Sequence, residues 1–182
     1  MVREQQPGAA TPQPRLVVVG GWIASGKSTA ARVVAAATGG ELLVADELRA
    51  KLATEGAREA RLPGFSETLY PELLTRAEAL LAAGRSVVLD GTFRTRAWRA
   101  AARALATRRG ARFLFVECRS PRAACLERLA RRKEASGWVA LFEHFVAHEW
   151  EPVTELSGAE CLVLDTDRLR ADTLAQLRSW LA

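Results

Sequence analysis

Residues 17–34, "VVVGGWIASGKSTAARVV", contain the most specific structural signal in the sequence. An apolar run ends in paired glycines, a short loop follows, and Gly-Lys-Ser-Thr opens an alanine-rich segment of helical character. The segment Gly21–Ser28 fits the pattern G-x-x-x-x-G-K-[ST], which is typical of a phosphate-binding loop when a strand precedes it and a helix follows. Both flanks meet this condition, because Leu16–Val19 is a buried-strand pattern and Lys27–Ala37 a helical one.

The residue types of this loop suit a bound triphosphate. Glycines let backbone N–H groups turn towards phosphate oxygens, and the helix N-terminus adds free donors and its dipole. The side chain of Lys27 can reach the outer phosphates, and the hydroxyl of Ser28 can hold Mg²⁺. We therefore expect a nucleoside triphosphate with Mg²⁺. The predicted binding residues are Gly21, Ala24, Ser25, Gly26, Lys27, Ser28 and Thr29.

Strand and helix patterns alternate along the rest of the chain. Further strands are predicted over Glu41–Ala45, Ser86–Leu89, Arg112–Glu117 and Cys161–Leu164. Helices are predicted over Asp46–Ala53, Glu67–Ala83, Thr95–Arg109, Pro121–Lys133, Trp138–His148 and Ala171–Leu181, with a mobile loop over Thr54–Ser66. This order predicts an α/β fold of three layers: a five-stranded parallel sheet with helices on both faces and a helical lid at about residues 120–150.

The composition fits one domain. The chain has 182 residues, of which 49% are hydrophobic and 26% charged, as in ordinary globular proteins. Residues 1–14 are rich in Pro and Gln and predict a disordered tail, so the domain is expected over 15–182. No apolar run approaches the ~20 residues of a membrane span, and the three cysteines show no paired or metal-ligand spacing. We expect a cytoplasmic protein with reduced thiols and no membrane partner.

The net charge of +5 comes almost entirely from arginine, since only three of the 26 basic residues are lysines. Arginine forks suit phosphate groups, so polyphosphate or nucleic acid partners are consistent with this charge. A general enrichment in Ala and Arg is the alternative cause. The charge alone therefore does not predict nucleic-acid binding.

The missing asparagine narrows the class of phosphate-loop protein. Guanine-specific switch proteins usually read the base with an Asn-Lys-x-Asp loop, and this chain contains no asparagine. Ring-forming ATPases generally need a longer module and a second domain, which the sequence does not supply. A compact kinase remains the favoured class.

Asp46 lies at the end of the second predicted strand, at the edge where open α/β sheets bind ligands. Arg49 follows one helical turn later. The carboxylate can accept the proton of an attacking hydroxyl, and the arginine can steady the phosphoryl group or the acceptor. Capping of the following helix is the alternative role for Asp46.

The run "VVLDGTF" ends the third predicted strand at Asp90 and resembles a Walker B segment. Asp90 can bind Mg²⁺ through water or contact the acceptor, and a turn-forming Asp before Gly is the alternative. Thr92, Arg94 and Arg96 follow at the same edge, and Thr92 and Arg96 are predicted to bind substrate. For the arginines at positions 94, 96 and 99, a solvated helix face is the alternative.

The segment "CLERLARRK" places Arg128 and Arg132 four residues apart on one helix face. One can stack on adenine and the other can contact the phosphates. Arg131 remains an alternative to Arg132, and a basic surface helix is the alternative for the whole segment. The stretch 134–138 would form the tip of a lid that excludes water.

Taken in order, these motifs resemble the small P-loop kinases. The closest resemblance is to the AAA_33-type "predicted kinase" group, which is related to the 5′-kinase domain of phage polynucleotide kinase. It rests on GxxxxGKST, D-x-x-R after the second strand, "VVLDGTF", the "RLxxR" of the lid and Glu151-Pro152, and it covers roughly residues 16–167. The chain departs from the group at Trp22, where Pro or Gly is usual, and at residues 136–138, where Ser-Gly-Trp replaces Ser-Asp-Ala.

The resemblance implies an ATP-dependent kinase that phosphorylates a hydroxyl of an acceptor. We favour a small molecule as this acceptor. A polynucleotide 5′-hydroxyl kinase, or a zeta-toxin-like or ATP-binding regulatory protein, is the alternative. Catalytic roles are implied for Lys27, Asp46, Arg49 and Arg132, with Asp46 as general base. Arg128 would bind nucleotide, Ser28 and Asp90 would hold the metal, and acceptor contacts would come from Asp46, Arg49, Asp90, Thr92 and Arg96.

Overall fold

The structure, a computed structural model, describes residues 13–54, 66–132, 135–167 and 171–181. The strands are β1 Arg15–Gly21, β2 Glu41–Val44, β3 Val87–Asp90, β4 Arg112–Arg119 and β5 Cys161–Asp165. The helices are α1 Lys27–Thr38, α2 Ala45–Thr54, α3 Ser66–Ala82, α4 Arg96–Arg108, α5 Arg122–Ala130, α6 Ala135–His144 and α7 Ala171–Leu181, and a π-helical turn, Phe145–Glu149, follows α6. Most of the predicted tail and of the loop after α2 lie outside the described residues.

The five strands form one parallel sheet in the order β2-β3-β1-β4-β5. In the register of the sheet, Val19 of β1 pairs with Asp90 of β3 and with Val116 of β4. The strand order changes direction beside β1, and ligands of such sheets bind where this happens, at the carboxyl ends of the strands. The predicted α/β fold class is confirmed, and the sheet places the end of β1 at the centre of this edge.

Both faces of the sheet are covered by helices, which explains why β1 is continuously apolar. Leu16 and Val18 pack into a core formed with α2, α3 and α4. Val17 and Val19 point to the opposite face and pack into a second core with α1 and α7. All four side chains are fully buried, so the strand that carries the phosphate loop is held from both sides.

A third, smaller cluster joins the lid to the phosphate loop. Cys125 and Leu129 of α5 are buried against Phe142 of α6, and Trp22 of the loop packs on them. The observed lid differs in detail from the predicted one. Its first helix, α5, ends at Ala130 instead of Lys133. Its second helix, α6, begins at Ala135 instead of Trp138 and is followed by the π-helical turn. No helix in the described ranges combines the length and apolar character that a bilayer span requires.

Arg99 of α4 is fully buried, so a solvated helix face is wrong for this residue. Its Nη1 donates to the carbonyl oxygens of Phe93 and Glu151, both at 3.1 Å, and its Nε donates to Glu155 at 2.5 Å. Its Nη2 donates to the carbonyl oxygen of Pro152 at 3.3 Å. One guanidinium therefore fastens the segment after the lid to the turn between β3 and α4.

We expect Arg99→Met to lower the free energy of unfolding by about 3–5 kcal/mol, because it leaves the half-buried carboxylate of Glu155 and several carbonyl groups without their partner. Arg103→Met is the matched control, since Arg103 lies on the same helix and pairs with Glu160 at 2.7 Å but is half exposed. That change should cost no more than about 1 kcal/mol. Urea unfolding measures both, and equal losses would contradict the structural role given to Arg99.

Candidate active site

The phosphate loop joins β1 to α1 through backbone conformations that need small residues. Gly26 precedes the helix with φ 87°, and Ala24 also has a left-handed backbone with φ 61°. Gly21 has φ 141°, and a Cβ atom there would lie 2.4 Å from the carbonyl oxygen of Cys118 on β4. The first glycine of the motif is therefore required by close packing on the neighbouring strand as well as by its conformation.

Lys27 points back into the loop, where its Nζ donates to the carbonyl oxygen of Trp22 at 2.7 Å. Burial lowers the pKa of Lys27, and the negative charge of Asp90 opposes this shift. The cation thus lies in the concavity of the loop with one carbonyl partner, a position in which phosphate oxygens would be far stronger partners.

Asp90 ends β3 beside the first turn of α1 and is 4% exposed. Burial raises the pKa of its carboxyl, while a hydrogen bond from the Ser28 hydroxyl and the charge of Lys27 work against the increase. The structure brings together the two side chains that were predicted to hold a metal.

One large cleft, with a volume of about 1030 Å³, opens over the carboxyl edge of the sheet. Most of the predicted site residues line it. They are Ala24, Gly26, Lys27, Ser28, Thr29, Asp46, Arg49, Asp90, Thr92, Arg128 and Arg132. Residues from the phosphate loop, α2, β3 and the lid therefore face a common space.

Asp46 lies inside the first turn of α2, because the helix begins at Ala45. Its side chain is 84% exposed and faces the cleft, with the Nε of Arg49 at 3.8 Å. A residue within the helix is not its N-cap, so the capping alternative is not the arrangement seen. The carboxylate is accessible to a molecule in the cleft.

Three predicted residues lie outside the lining of this cleft. Gly21 borders a small separate cavity beside Trp22. Ser25 is buried and its carbonyl accepts a hydrogen bond from the hydroxyl of Thr166. Arg96 points away because its guanidinium donates to the Thr154 hydroxyl at 3.1 Å and lies 3.7 Å from Glu155.

Of the two arginines expected at this edge, Arg94 lines the cleft and Arg96 does not. It is 8% exposed, donates to the Ser66 hydroxyl at 2.8 Å and pairs with Glu149 at 2.5 Å. The sequence does contain a signal for this difference. Arg94 lies in the turn directly after the strand end, whereas Arg96 is the first residue of α4.

The lid arginines take distinct positions. Arg128 donates to the carbonyl oxygen of Ala24 at 3.1 Å and to the Ser120 hydroxyl at 3.0 Å, so it fastens the phosphate loop to the end of β4. Arg131 is exposed and pairs with Glu127. Arg132 lines the cleft with its guanidinium 5.3 Å from the centre of the Trp138 ring.

Trp22 packs the phosphate loop against the lid. Its ring lies edge-on to Phe142 and Trp150, with centroid distances of 5.8 and 6.3 Å.

Among the described residues there is no group of three metal-ligating His, Cys, Asp or Glu side chains. His144 and His148 lie four residues apart, a spacing that could hold a metal. They have no third ligand in this part of the chain, and His144 contacts Glu149 at 3.0 Å.

A strand, a Gly-rich loop and a helix that present a lysine and backbone donors at the carboxyl edge of a parallel sheet define a P-loop NTPase fold. The chain belongs to the AAA_33 family, described as "AAA domain", whose model matches residues 16–149. An uncharacterized protein of Mycobacterium tuberculosis (strain H37Rv), Rv2004c, is 38% identical over 102 residues, which cover 50% of this chain. The same match recurs in Mycobacterium bovis, and the chain spans about 20% of these relatives.

Solved structures of kinases share the fold. A sugar kinase from Janibacter sp. HTCC2649 superposes with a TM-score of 0.69 at 22% identity, covering 92% of this chain and 94% of that one. A gluconokinase from Sinorhizobium meliloti 1021 superposes with a TM-score of 0.65 at 20% identity, covering 93% of this chain and 91% of that one. The APS kinase CysC of Mycobacterium tuberculosis, solved with AMPPNP and APS, superposes with a TM-score of 0.66 at 24% identity, covering 93% of this chain and 98% of that one. At these identities the likeness concerns the fold alone, and the relation to phage polynucleotide kinase stays a prediction.

We expect Asp90→Asn to raise the thermal midpoint of the nucleotide-free protein at neutral pH. Burial raises the pKa of Asp90 in the folded state, so the folded protein binds more protons than the unfolded one between the two pKa values. The wild type therefore loses stability as the pH rises through that window. The gain from the substitution should be full at about pH 7 and shrink as the pH falls to about 4.

Thermal unfolding of both proteins across this pH range measures the effect. Asp46→Asn is the control, because it removes an exposed carboxylate at the same edge of the sheet. A stabilisation by Asp90→Asn that grows on acidification would contradict the assigned direction.

Proposed function

We propose that this protein is an ATP-dependent phosphotransferase that moves the γ-phosphate of ATP to a hydroxyl group of a small acceptor molecule. The observation that carries the proposal is the shared cleft, into which the phosphate loop, two carboxylates and the lid arginine Arg132 all open. Its volume of about 1030 Å³ is at the upper end of the about 300–1,000 Å³ typical of one ligand pocket. Nucleotide and acceptor can therefore bind side by side.

The nucleotide half of the cleft is the phosphate loop. Lys27 would exchange the carbonyl of Trp22 for phosphate oxygens, and backbone N–H groups of the first turn of α1 would complete the cradle. The hydroxyl of Ser28 and the carboxylate of Asp90 are oxygen donors that already lie in contact, which fits Mg²⁺. When bound, the ion would neutralise charge on the β- and γ-phosphates.

Asp46 is the group best placed to accept the acceptor proton. The acceptor oxygen would attack the γ-phosphorus as its proton passes to the Asp46 carboxylate, and the bond to the bridging β–γ oxygen would break with release of ADP. Arg49 and Arg132 approach the same space from α2 and the lid. Their charges would stabilise the phosphoryl group during transfer.

A small acceptor is favoured over a polynucleotide end. The similar folds include enzymes named as kinases of sugars, gluconate and APS. The arginines that would favour a polynucleotide lie at residues 58–61 and 94–103. Residues 58–61 are outside the described ranges, and on α4 Arg99 is buried. The cleft lies between α2 and the lid, and apolar side chains such as Trp138, Leu141 and Phe145 form part of its lining.

Transfer of label from [γ-³²P]ATP with Mg²⁺ tests the proposal. The protein is offered a pool of hydroxylated metabolites in one reaction and a 5′-hydroxyl oligonucleotide in another. We expect label in the small-molecule fraction. Label in the oligonucleotide alone would overturn the small acceptor, and tight ATP binding without any transfer would favour a regulatory or toxin-like protein.

We expect Asp46→Asn to lower kcat by about 10²–10⁴-fold, because an amide cannot accept the proton. The Kd for Mg·ATP should stay within about twofold, since the phosphate loop is unchanged. Glu47→Gln is the matched control, as its exposed carboxylate lies next in sequence but outside the cleft lining. Single-turnover kinetics and calorimetry give the two constants. An unchanged kcat in Asp46→Asn would exclude Asp46 as the base.

A further inference from the structure

We infer that the acceptor is an uncharged alcohol with an apolar or planar body, bound in a slot between α2 and the wall formed by α6 and the π-helical turn. The inference rests on the proposed function and specifies its substrate class. It follows from the side chains that line the two walls of the cleft beyond the phosphate loop, and from the ion pairs and hydrogen bonds of the arginines near them.

The α2 wall changes character along its length. Asp46, Arg49, Ala50 and Ala53 all line the cleft, and their spacing places them on one face of the helix. The two charged residues come first, next to the phosphate loop. The two alanines follow one turn further on, so the acceptor end of this wall consists of methyl groups and helix surface.

The facing wall is mostly apolar and partly aromatic, and the guanidinium of Arg132 lies 5.3 Å from the centre of the Trp138 ring at its edge. Trp138, Leu141 and Phe145 line the cleft at spacings of three and four residues, which form one stripe. The guanidinium of Arg94 lies 4.7 Å from the centre of the Phe145 ring. A slot with small side chains on one side and rings on the other fits a flat or apolar body.

Three of the polar side chains at this end, Arg94, Tyr70 and Arg49, have partners within the protein. Arg94 pairs with Glu149 at 2.5 Å and donates to Ser66. The Tyr70 hydroxyl accepts from the backbone N–H of Phe93 at 2.9 Å and lies 3.0 Å from the Thr92 hydroxyl. Arg49 lies beside Asp46.

The chemistry of the acceptor follows from these pairings. A carboxylate or phosphate on the acceptor would have to compete with Glu149 for Arg94. The many hydroxyl groups of a sugar acid would lie against alanine and aromatic side chains and lose their hydrogen bonds to water. An apolar molecule with one hydroxyl near Asp46 would neither compete with Glu149 nor lose several hydrogen bonds to water.

Four primary alcohols of contrasting bodies test the inference: 2-naphthalenemethanol and benzyl alcohol against gluconate and xylitol. Phosphoryl transfer is measured with [γ-³²P]ATP. Binding is measured separately by saturation-transfer NMR on the protein loaded with AMPPNP and Mg²⁺. We expect kcat/KM and affinity for 2-naphthalenemethanol to exceed those for gluconate by at least about tenfold.

Leu141→Gln should lower kcat/KM for the aromatic alcohols by about tenfold and leave the Kd for Mg·ATP unchanged. Ala140→Gln is the matched control, because it places the same amide at an exposed position one residue away on α6, outside the cleft lining. A loss of the same size in both variants, or none in Leu141→Gln, would overturn the slot.

The two proposals fail in different ways. Binding of 2-naphthalenemethanol that is weakened by Leu141→Gln but leads to no labelled product would overturn the phosphotransferase and keep the slot. Efficient labelling of gluconate, or of a 5′-hydroxyl oligonucleotide, would keep a kinase and overturn the uncharged apolar acceptor. Absence of binding by both aromatic alcohols would overturn the slot whatever the kinase result.

Discussion

The cation of Lys27 at the carboxyl end of β1 is the feature on which the geometry of the site depends. Removing this charge from water has a cost, seen as the lowered pKa of its amine, and the carbonyl of Trp22 and the charge of Asp90 offset it. Asp90 is near because β1 and β3 run parallel in a register that pairs it with Val19. The sheet thus holds the loop, the cation and the buried carboxylate in one place.

A second network holds the opposite wall. The buried guanidinium of Arg99 ties the segment after the lid to the turn that carries Thr92 and Arg94. The π-helical turn then supplies Phe145 and Glu149 to Arg94. The phosphate loop, held by the sheet, and a wall assembled from distant segments meet across the cleft, and this arrangement would suit the proposed two-substrate reaction.

The local parts of this site could be predicted from sequence, and the long-range parts could not. The phosphate loop, Asp46 and Asp90 each follow a strand pattern within a few residues, so strand ends locate them. The burial of Arg94 and Arg99 depends on carboxylates 55 or 56 residues away in the chain (from Arg94 to Glu149 and from Arg99 to Glu155). No local spacing encodes such a pairing, so the burial of these two arginines could not be predicted from the sequence.

One triphosphate should bind in this loop and bring Lys27, Ser28 and Asp90 together around it. A crystal structure with Mg²⁺ and AMPPNP would show whether it does. We expect the triphosphate over the loop, Lys27 moved from the Trp22 carbonyl to the phosphates, and the metal beside Ser28 and Asp90. A nucleotide bound elsewhere, or Lys27 still on the Trp22 carbonyl with the site filled, would contradict it.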